Sequence, residues 1–335
     1  MPPNITVLVL VLAFFLASST SASCDADTLY AGFDVTNFTS DSLRTYLHAK
    51  ASAGHAPVSY GEAYNVLESI DEHNTSHVRL AYGGYASKCR TGTFYGNECV
   101  WNREHLWPQS YGVGESSGLP YYAPPRVDMH ALVPSHFSLN SARSNRVFSQ
   151  ITDADDTTCA SWSSNWSNGQ SCETPVATAT TVGAFGSASI GGYWQPPPET
   201  RGFIARAMFY LAIRYDGVDE DTFPLRLKQT ASKPDVDSNQ TYYSFGRLSD
   251  LLRWHVSHPV TDWELERNNL VCASQGNRSP FVDHPEVVAT VFGTPEEAEA
   301  GVDTWSAEWG GDESAAAGRF FAFWIVAACV SLIYS

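Results

Sequence analysis

Positive charge is scarce in this chain of 335 residues: 20 Lys and Arg stand against 36 Asp and Glu, for a formal net charge of -16. That balance excludes a basic architectural nucleic-acid binder held by bulk charge. Charged residues of either sign make up only 17%, against 43% hydrophobic, which excludes a disordered chain and a coiled coil. Glycine, at 24 residues, is far too sparse for collagen. No Cys-x-x-Cys pair occurs, so a structural zinc site has no framework. A His-Glu-x-x-His metalloprotease motif is missing too, and WNREH (Trp101 to His105) opens on Trp where the inverted zinc motif needs His. Aromatic residues are plentiful at 13%, 10 of them Trp, so a substantial core or binding surface is available.

The ends differ from the middle. Ile5 to Ala17 is a short apolar stretch followed by small residues, the pattern of a secretory signal over residues 1–22, cleaved after Ala22, although no Lys or Arg precedes it. Phe320 to Tyr334 is an uncharged run behind the small residues Ser314 to Gly318. It is short for a spanning helix, which needs about 20 residues. The tail, residues 315–335, therefore reads as a lipid-anchor signal of the GPI type or as a short membrane anchor. Between Glu286 and Glu313 lie eight acidic residues and no Lys or Arg, and residues 291–314 read as a solvated acidic stalk. An exported chain makes disulfides available to Cys24, Cys89, Cys99, Cys159, Cys172 and Cys272. Spacing suggests Cys89 with Cys99 and Cys159 with Cys172, leaving Cys24 with Cys272, one of 15 pairings open to six cysteines. Glycosylation sequons at Asn37, Asn74, Asn165, Asn239 and Asn277 agree with export.

Residues 23–290 read as one α+β domain. Leu43, Tyr46 and Leu47 fall at helical spacing from Ser40 to about Ala53, and Ser59 with Glu62 forms a capping-box pattern ahead of Ala63, Val66, Leu67 and Ile70. Val78, Leu80 and Tyr82 alternate as a strand that breaks at Gly83 and Gly84. Val100 and Trp101 return as its hairpin partner, leading into Glu104 and His105. Ser161 to Gly192, rich in Ser, Thr, Ala and Gly, reads as a loop insertion. Further helices are predicted from Thr200 to Tyr215, around Leu248 to His255, and from a Thr261/Glu264 cap towards Gln275.

The chemistry concentrates in NREHLWPQS (Asn102 to Ser110), DMHALVP (Asp128 to Pro134) and LNSARSN (Leu139 to Asn145). Glu104 and His105 follow the hairpin, and Asn140 lies on a predicted helix from Ser135 to Ser144. A carboxylate and an amide carbonyl are hard oxygen donors suited to Mg²⁺, with Mn²⁺ or Ca²⁺ as substitutes, rather than to zinc. A neighbouring histidine can accept a proton from water. Such a set can hydrolyse a phosphodiester. Arg143, three residues beyond Asn140, would share its helix face and could hold a phosphate oxygen.

With WQPPPETRGFIARAMFYLAIRY (Trp194 to Tyr215) and LLRWHVSHPVTDWELERNNLVCASQGNRSPFVDHPE (Leu251 to Glu286), these blocks make the chain resemble the endonuclease I family of periplasmic and extracellular nucleases, a branch of the ββα-metal (His-Me finger) group. The similarity runs from near Tyr46 to about Val288. It implies His105 as general base, Glu104 and Asn140 as metal ligands and Arg143 as a phosphate contact. Cleavage of DNA and RNA with little sequence preference, leaving 5′-phosphate ends, is implied as well. A monomer, secreted or held at the cell surface, is expected. Departures from the family pattern are Phe203, where an acidic residue is expected, and Ala131 and Val133 in place of more polar residues. Asp128 and His130 are expected to act behind the site, while Arg206, Gln275, Asn277 and Arg278 are expected to tie helix ends to the domain. The competing reading is a catalytically inactive surface binding or adhesion protein on a nuclease fold.

Residues 101–150 carry four arginines against three acidic side chains, so a locally basic cleft can operate on an acidic protein when screening acts over about 8 Å. Cleavage is therefore expected to fall as salt is raised in a gel assay. A rate unchanged from low to high salt would contradict a substrate held by this segment.

Overall fold

The computed structural model describes residues 24–89, 99–114, 124–150, 188–190, 193–219, 222, 224–228 and 243–301. The expected leader, the Cys159–Cys172 pairing, most of the Ser161–Gly192 insertion and the hydrophobic tail lie outside the described residues. In chain order come the helices α1 (Ala26–Leu29), α2 (Ser40–Ser52) and α3 (Ala63–Ile70), then the strands β1 (Glu72–Asn74), β2 (His77–Arg79), β3 (Tyr85–Ser87), β4 (Trp101–His105) and β5 (Leu132–His136). Helix α4 (Phe137–Arg143) follows, with β6 (Val147–Phe148), β7 (Ala188–Ile190), β8 (Tyr193–Gln195), α5 (Pro198–Arg214), β9 (Leu225–Leu227) and β10 (Tyr243–Phe245). The C-terminal part is helical: α6 (Leu248–Ser257), α7 (Asp262–Gln275), α8 (Pro280–Asp283), α9 (Val287–Phe292) and α10 (Pro295–Glu299). This mixture of helices and small sheets is the expected α+β class.

Local signals account for the helix ends. Thr39 caps α2 and Thr261 caps α7 in reciprocal boxes with Ser42 and Glu264. Ser59 and Glu62 bond reciprocally as well, but the helix they introduce begins only at Ala63. Helix α7 ends at Gly276, whose φ of +89° is left-handed and whose missing Cβ would sit 2.2 Å from the Gly54 carbonyl oxygen. Helix α5 opens on Pro198 at its first position, two residues before the expected Thr200. The spacing of Ile204, Met208 and Leu211 alone points to one buried face. The structure buries nearly the whole circumference, because α2, α6, α8 and β9 all pack around it. An apolar sequence on every side of a helix has this consequence.

The strand pairing differs from the expected hairpin. Strand β2 pairs antiparallel with β1 and, across Gly83 and Gly84, with β3. Strand β4 pairs antiparallel with β5, setting Glu104 opposite Val133 and His105 opposite Leu132. Alternation identifies a half-buried strand but not its partner, and here the partner arrives after 26 intervening residues. Helix α4 follows β5 directly, with His136 as its cap. The remaining strands form β6-β8-β7 and a parallel pair β9-β10.

Among the described residues two disulfides are formed, Cys24–Cys272, which ties the start of the described chain to α7, and Cys89–Cys99. Among the described residues no helix is long and apolar enough to cross a membrane. The stalk boundary at 291 requires correction, since the described part of that segment packs on the domain. Val291 and Phe292 are fully buried, Phe292 stacks on Phe209 of α5 at 4.8 Å, and Arg44 of α2 donates to the Val291 carbonyl. Ala298 of α10 is buried beside α6 while Glu296, Glu297 and Glu299 face water. Counting charge saw only the solvent side of an amphipathic segment. A chain ending at residue 290 is accordingly expected to melt well below one ending at 301. Phe292→Ala should cost about 3–5 kcal/mol in urea unfolding, and no loss in either measurement would return this segment to the stalk.

Candidate active site

The site grows from two antiparallel strands and the helix behind them. Alternation along β4 sends Asn102 and Glu104 to one face and Arg103 and His105 to the other. Helix α4 lies against the first face. Its Asn140 Nδ2 donates to Asn102 Oδ1 at 2.7 Å and to the Arg103 carbonyl at 3.1 Å. One turn later, Arg143 donates to Glu104 Oε1 and the His105 carbonyl, both at 2.9 Å, and to the Leu106 carbonyl at 2.6 Å.

Arg143 differs from its expected role. Its guanidinium is 1% exposed and lies over the Phe148 and Phe245 rings, so it positions the Glu104 carboxylate rather than offering an open grip for phosphate. The physical reason is the face it shares with Asn140, which is the face packed on β4.

Glu104 is 2% exposed. Its Oε1 accepts from Tyr82 Oη at 2.6 Å as well as from Arg143, and Oε2 has no hydrogen bond among the described residues. Burial raises the carboxyl pKa, while the Arg143 charge and the two hydrogen bonds pull it back. Asn140 is in the same condition, with its amide nitrogen committed and Oδ1 without a hydrogen bond among the described residues. Two hard oxygens are thus presented by groups whose other polar atoms hold them in place, a donor set that fits a divalent cation of the Mg²⁺ type.

His105 points to the other side of β4. Its Nε2 lies 3.0 Å from the Arg126 carbonyl, which can only accept, so the proton resides on Nε2 and Nδ1 carries the lone pair. The Gln109 amide approaches Nδ1 at 3.3 Å. Burial pushes the imidazole pKa down to about 3; the Arg126 carbonyl opposes the shift, and the charges of Arg126, Arg103 and Arg143 add to it. The ring is therefore neutral at pH 7.

The Endonuclease I family profile matches residues 27–286. The chain belongs to the endonuclease I family. By that membership it is a nuclease, a hydrolase of nucleic acids. Two curated relatives are each named "Extracellular ribonuclease". The one from Bacillus subtilis (strain 168) is 35% identical over 277 residues, 81% of this chain and 80% of that protein. The one from Bacillus amyloliquefaciens is 33% identical over 270 residues, 79% and 78% of the two chains.

Within this endonuclease I chain a second buried network stands behind the site. Asp128 Oδ2 accepts from Tyr210 of α5 and from Tyr215, the residue that follows that helix, at 2.7 and 2.8 Å, and Oδ1 accepts from the His130 amide and Gln275 of α7 at 2.9 and 2.8 Å. His130 Nε2 meets the Asn277 carbonyl at 3.2 Å. This hub fixes the turn two residues after Arg126, the residue whose carbonyl orients His105. Arg206 is paired bidentately with Glu264, Arg278 with Asp283, and Asn277 donates to the Ala51 carbonyl. These side chains tie the helices together.

Phe203, at the position of an expected acid, meets Trp263 edge-on at 5.0 Å, and Ala131 and Val133 are buried in the core. Sequence reasoning missed Tyr82 and the Arg126 carbonyl. Tyr82 looks like an ordinary inward strand residue, and no side-chain pattern marks a carbonyl.

The buried histidines set an acid limit on stability. Folded His105 has a pKa near 3 and His130 near 4, both lowered mainly by burial, whereas unfolded His titrates near 6.5. Below about pH 6.5 the unfolded chain therefore binds protons that the folded chain refuses, and stability falls as pH drops towards 4. Each group is expected to remove on the order of 1 kcal/mol per pH unit in that window. Urea midpoints at pH 7 and pH 5 check this, and equal midpoints would contradict the neutral buried state.

Proposed function

We propose that this chain is a secreted, divalent-metal-dependent endonuclease that hydrolyses phosphodiester bonds of RNA and DNA with little sequence preference and leaves 5′-phosphate ends. In this reading β4, β5 and α4 form the ββα-metal (His-Me finger) unit. The extracellular ribonuclease names of the two Bacillus relatives support RNA as substrate and export as location. The observation that carries the reading is the division of labour within each side chain. Glu104 and Asn140 each use one polar atom for anchorage and keep one oxygen open, while His105 gives its Nε2 proton to a carbonyl and keeps the Nδ1 lone pair.

The Glu104 and Asn140 oxygens would hold the cation, which neutralises the scissile phosphate and the departing oxygen when bound. His105 Nδ1 takes a proton from water as the water oxygen bonds to phosphorus, with the water replacing the Gln109 amide at that nitrogen. The P–O3′ bond breaks, the phosphate stays on the 5′ side of the next nucleotide, and O3′ leaves to be protonated by solvent. Water as the nucleophile makes the 2′-hydroxyl dispensable, which is why both sugars serve. A neutral imidazole is ready to accept this proton at any pH near neutrality, and the anionic phosphodiester beside it raises its basicity relative to the free enzyme.

The deciding experiment uses the disulfide-bonded chain on double-stranded DNA and single-stranded RNA, with Mg²⁺, with chelator, and as His105→Ala. Degradation should require the metal and fall about 10²- to 10⁴-fold in the variant. A folded wild-type chain that degrades neither polymer with any divalent metal would support the inactive surface binding protein instead.

A further inference from the structure

On the His105 face of β4 lies a cluster that the mechanism above does not use. The Arg103 guanidinium carbon sits 3.5 Å from the centre of the Tyr60 ring and 4.4 Å from that of Tyr64, and the Arg126 guanidinium carbon sits 4.4 Å from the Tyr60 ring. The Tyr60 ring is also 5.9 Å from the His105 ring at an interplanar angle of 29°. Arg103 donates one N–H to the Tyr60 carbonyl. It forms no ion pair with a carboxylate among the described residues, and it is half-buried rather than enclosed. That separates it from Arg143, Arg206, Arg267 and Arg278, each committed to a buried carboxylate. In a chain of net charge -16, an arginine stacked on a tyrosine beside the catalytic base, with no described carboxylate of its own, is placed for an anion from outside.

The stacking decides what kind of anion. A guanidinium lying over an aromatic ring is held by cation–π attraction through its face, so its N–H donors project from its edge. That edge matches the paired oxygens of a phosphate. Arg103 and His105 share the strand face, so an anion at this edge lies alongside the scissile group and belongs to the same polymer. We propose that Arg103 binds the backbone phosphate of the nucleotide next to the scissile bond, with Arg126 adding charge and Tyr60 acting as the positioning residue for Arg103. The inference rests on the reading of His105 as the base of a nuclease.

The test measures binding without turnover, in full-length His105→Ala protein with disulfides intact, by anisotropy of a fluorescein-labelled 12-mer of single-stranded RNA. Adding Arg103→Gln should weaken binding about tenfold and reduce the steepness of log K against log salt by about 0.7, the contribution of one phosphate contact on a single strand. Arg103→Lys, which keeps the charge and loses the planar edge, should fall between the two. Tyr60→Leu should reproduce part of the loss and Tyr60→Phe almost none, whereas loss of the hydroxyl as a structural group would make the two alike. A set of DNA 12-mers each carrying one neutral methylphosphonate linkage should contain one position that weakens the Arg103 protein and not the Arg103→Gln protein. Thermal melting confirms that each variant is folded. Binding and salt slope unchanged in folded Arg103→Gln, or a methylphosphonate penalty equal in both proteins at every position, overturns this inference and leaves the nuclease reading intact. No binding of either polymer by the His105→Ala protein at low salt, with no cleavage by the wild type, overturns both.

Discussion

A carboxylate taken out of water has to be met by donors, and Glu104, 2% exposed, is met by Tyr82 and Arg143. Those partners come from the turn after β2 and the last turn of α4, so satisfying one side chain fixes two separate pieces of chain to β4. Breaking such a buried pair costs about 3–5 kcal/mol, a large part of the roughly 5–15 kcal/mol that stabilises a typical domain. Arg143 also closes on the carbonyls of His105 and Leu106, so the end of the strand is held by the same guanidinium. Asn140, one turn earlier on α4, has its place beside β4 as a consequence. The arrangement of the two candidate metal oxygens follows from an ion pair that touches neither of the open atoms.

The imidazole is oriented by a different part of the molecule. Its Nε2–H donates to the Arg126 carbonyl, and the turn carrying that carbonyl is anchored at Asp128, whose oxygens gather Tyr210 of α5, Tyr215 just beyond it, a glutamine of α7 and the His130 amide. The large helices therefore act on the chemistry through a buried polar hub and one peptide carbonyl. Gly276 contributes at the same junction. Its left-handed backbone ends α7 against the Gly54 carbonyl, and Asn277 can then reach back to Ala51 and Tyr210.

Charge is distributed with the same economy. Several arginines are spent on buried carboxylates inside the fold, neutral pairs that leave the net charge of -16 to the rest of the chain. A polyanion approaching such a molecule is repelled at long range, and the attraction of Arg103 on β4 and the neighbouring Arg126 acts within about a Debye length.

Much of the architecture was legible before any coordinates. The cap at Thr261, the helical spacing in α2, α6 and α7, and the helix bearing Asn140 are properties of neighbouring residues, and local hydrogen bonding decides them. Cys89–Cys99 and Cys24–Cys272 also form as spacing and elimination suggested. Non-local choices were not legible. Strand β4 pairs with β5 rather than with the segment around Leu80, because alternation encodes a buried face and not the strand that covers the edge. Residues 291–301 pack on the domain because Phe292 and Ala298 lie on one side of an acidic segment, and only burial reveals which side faces inward. Arg143 shares a helix face with Asn140 as its spacing requires, yet that face is turned to Glu104. The sequence by itself determined the helices, the family and the residue types able to hydrolyse a phosphodiester. Which atoms are committed and which stay open was decided by the tertiary structure, because burial and hydrogen-bond partnership exist only once distant segments meet.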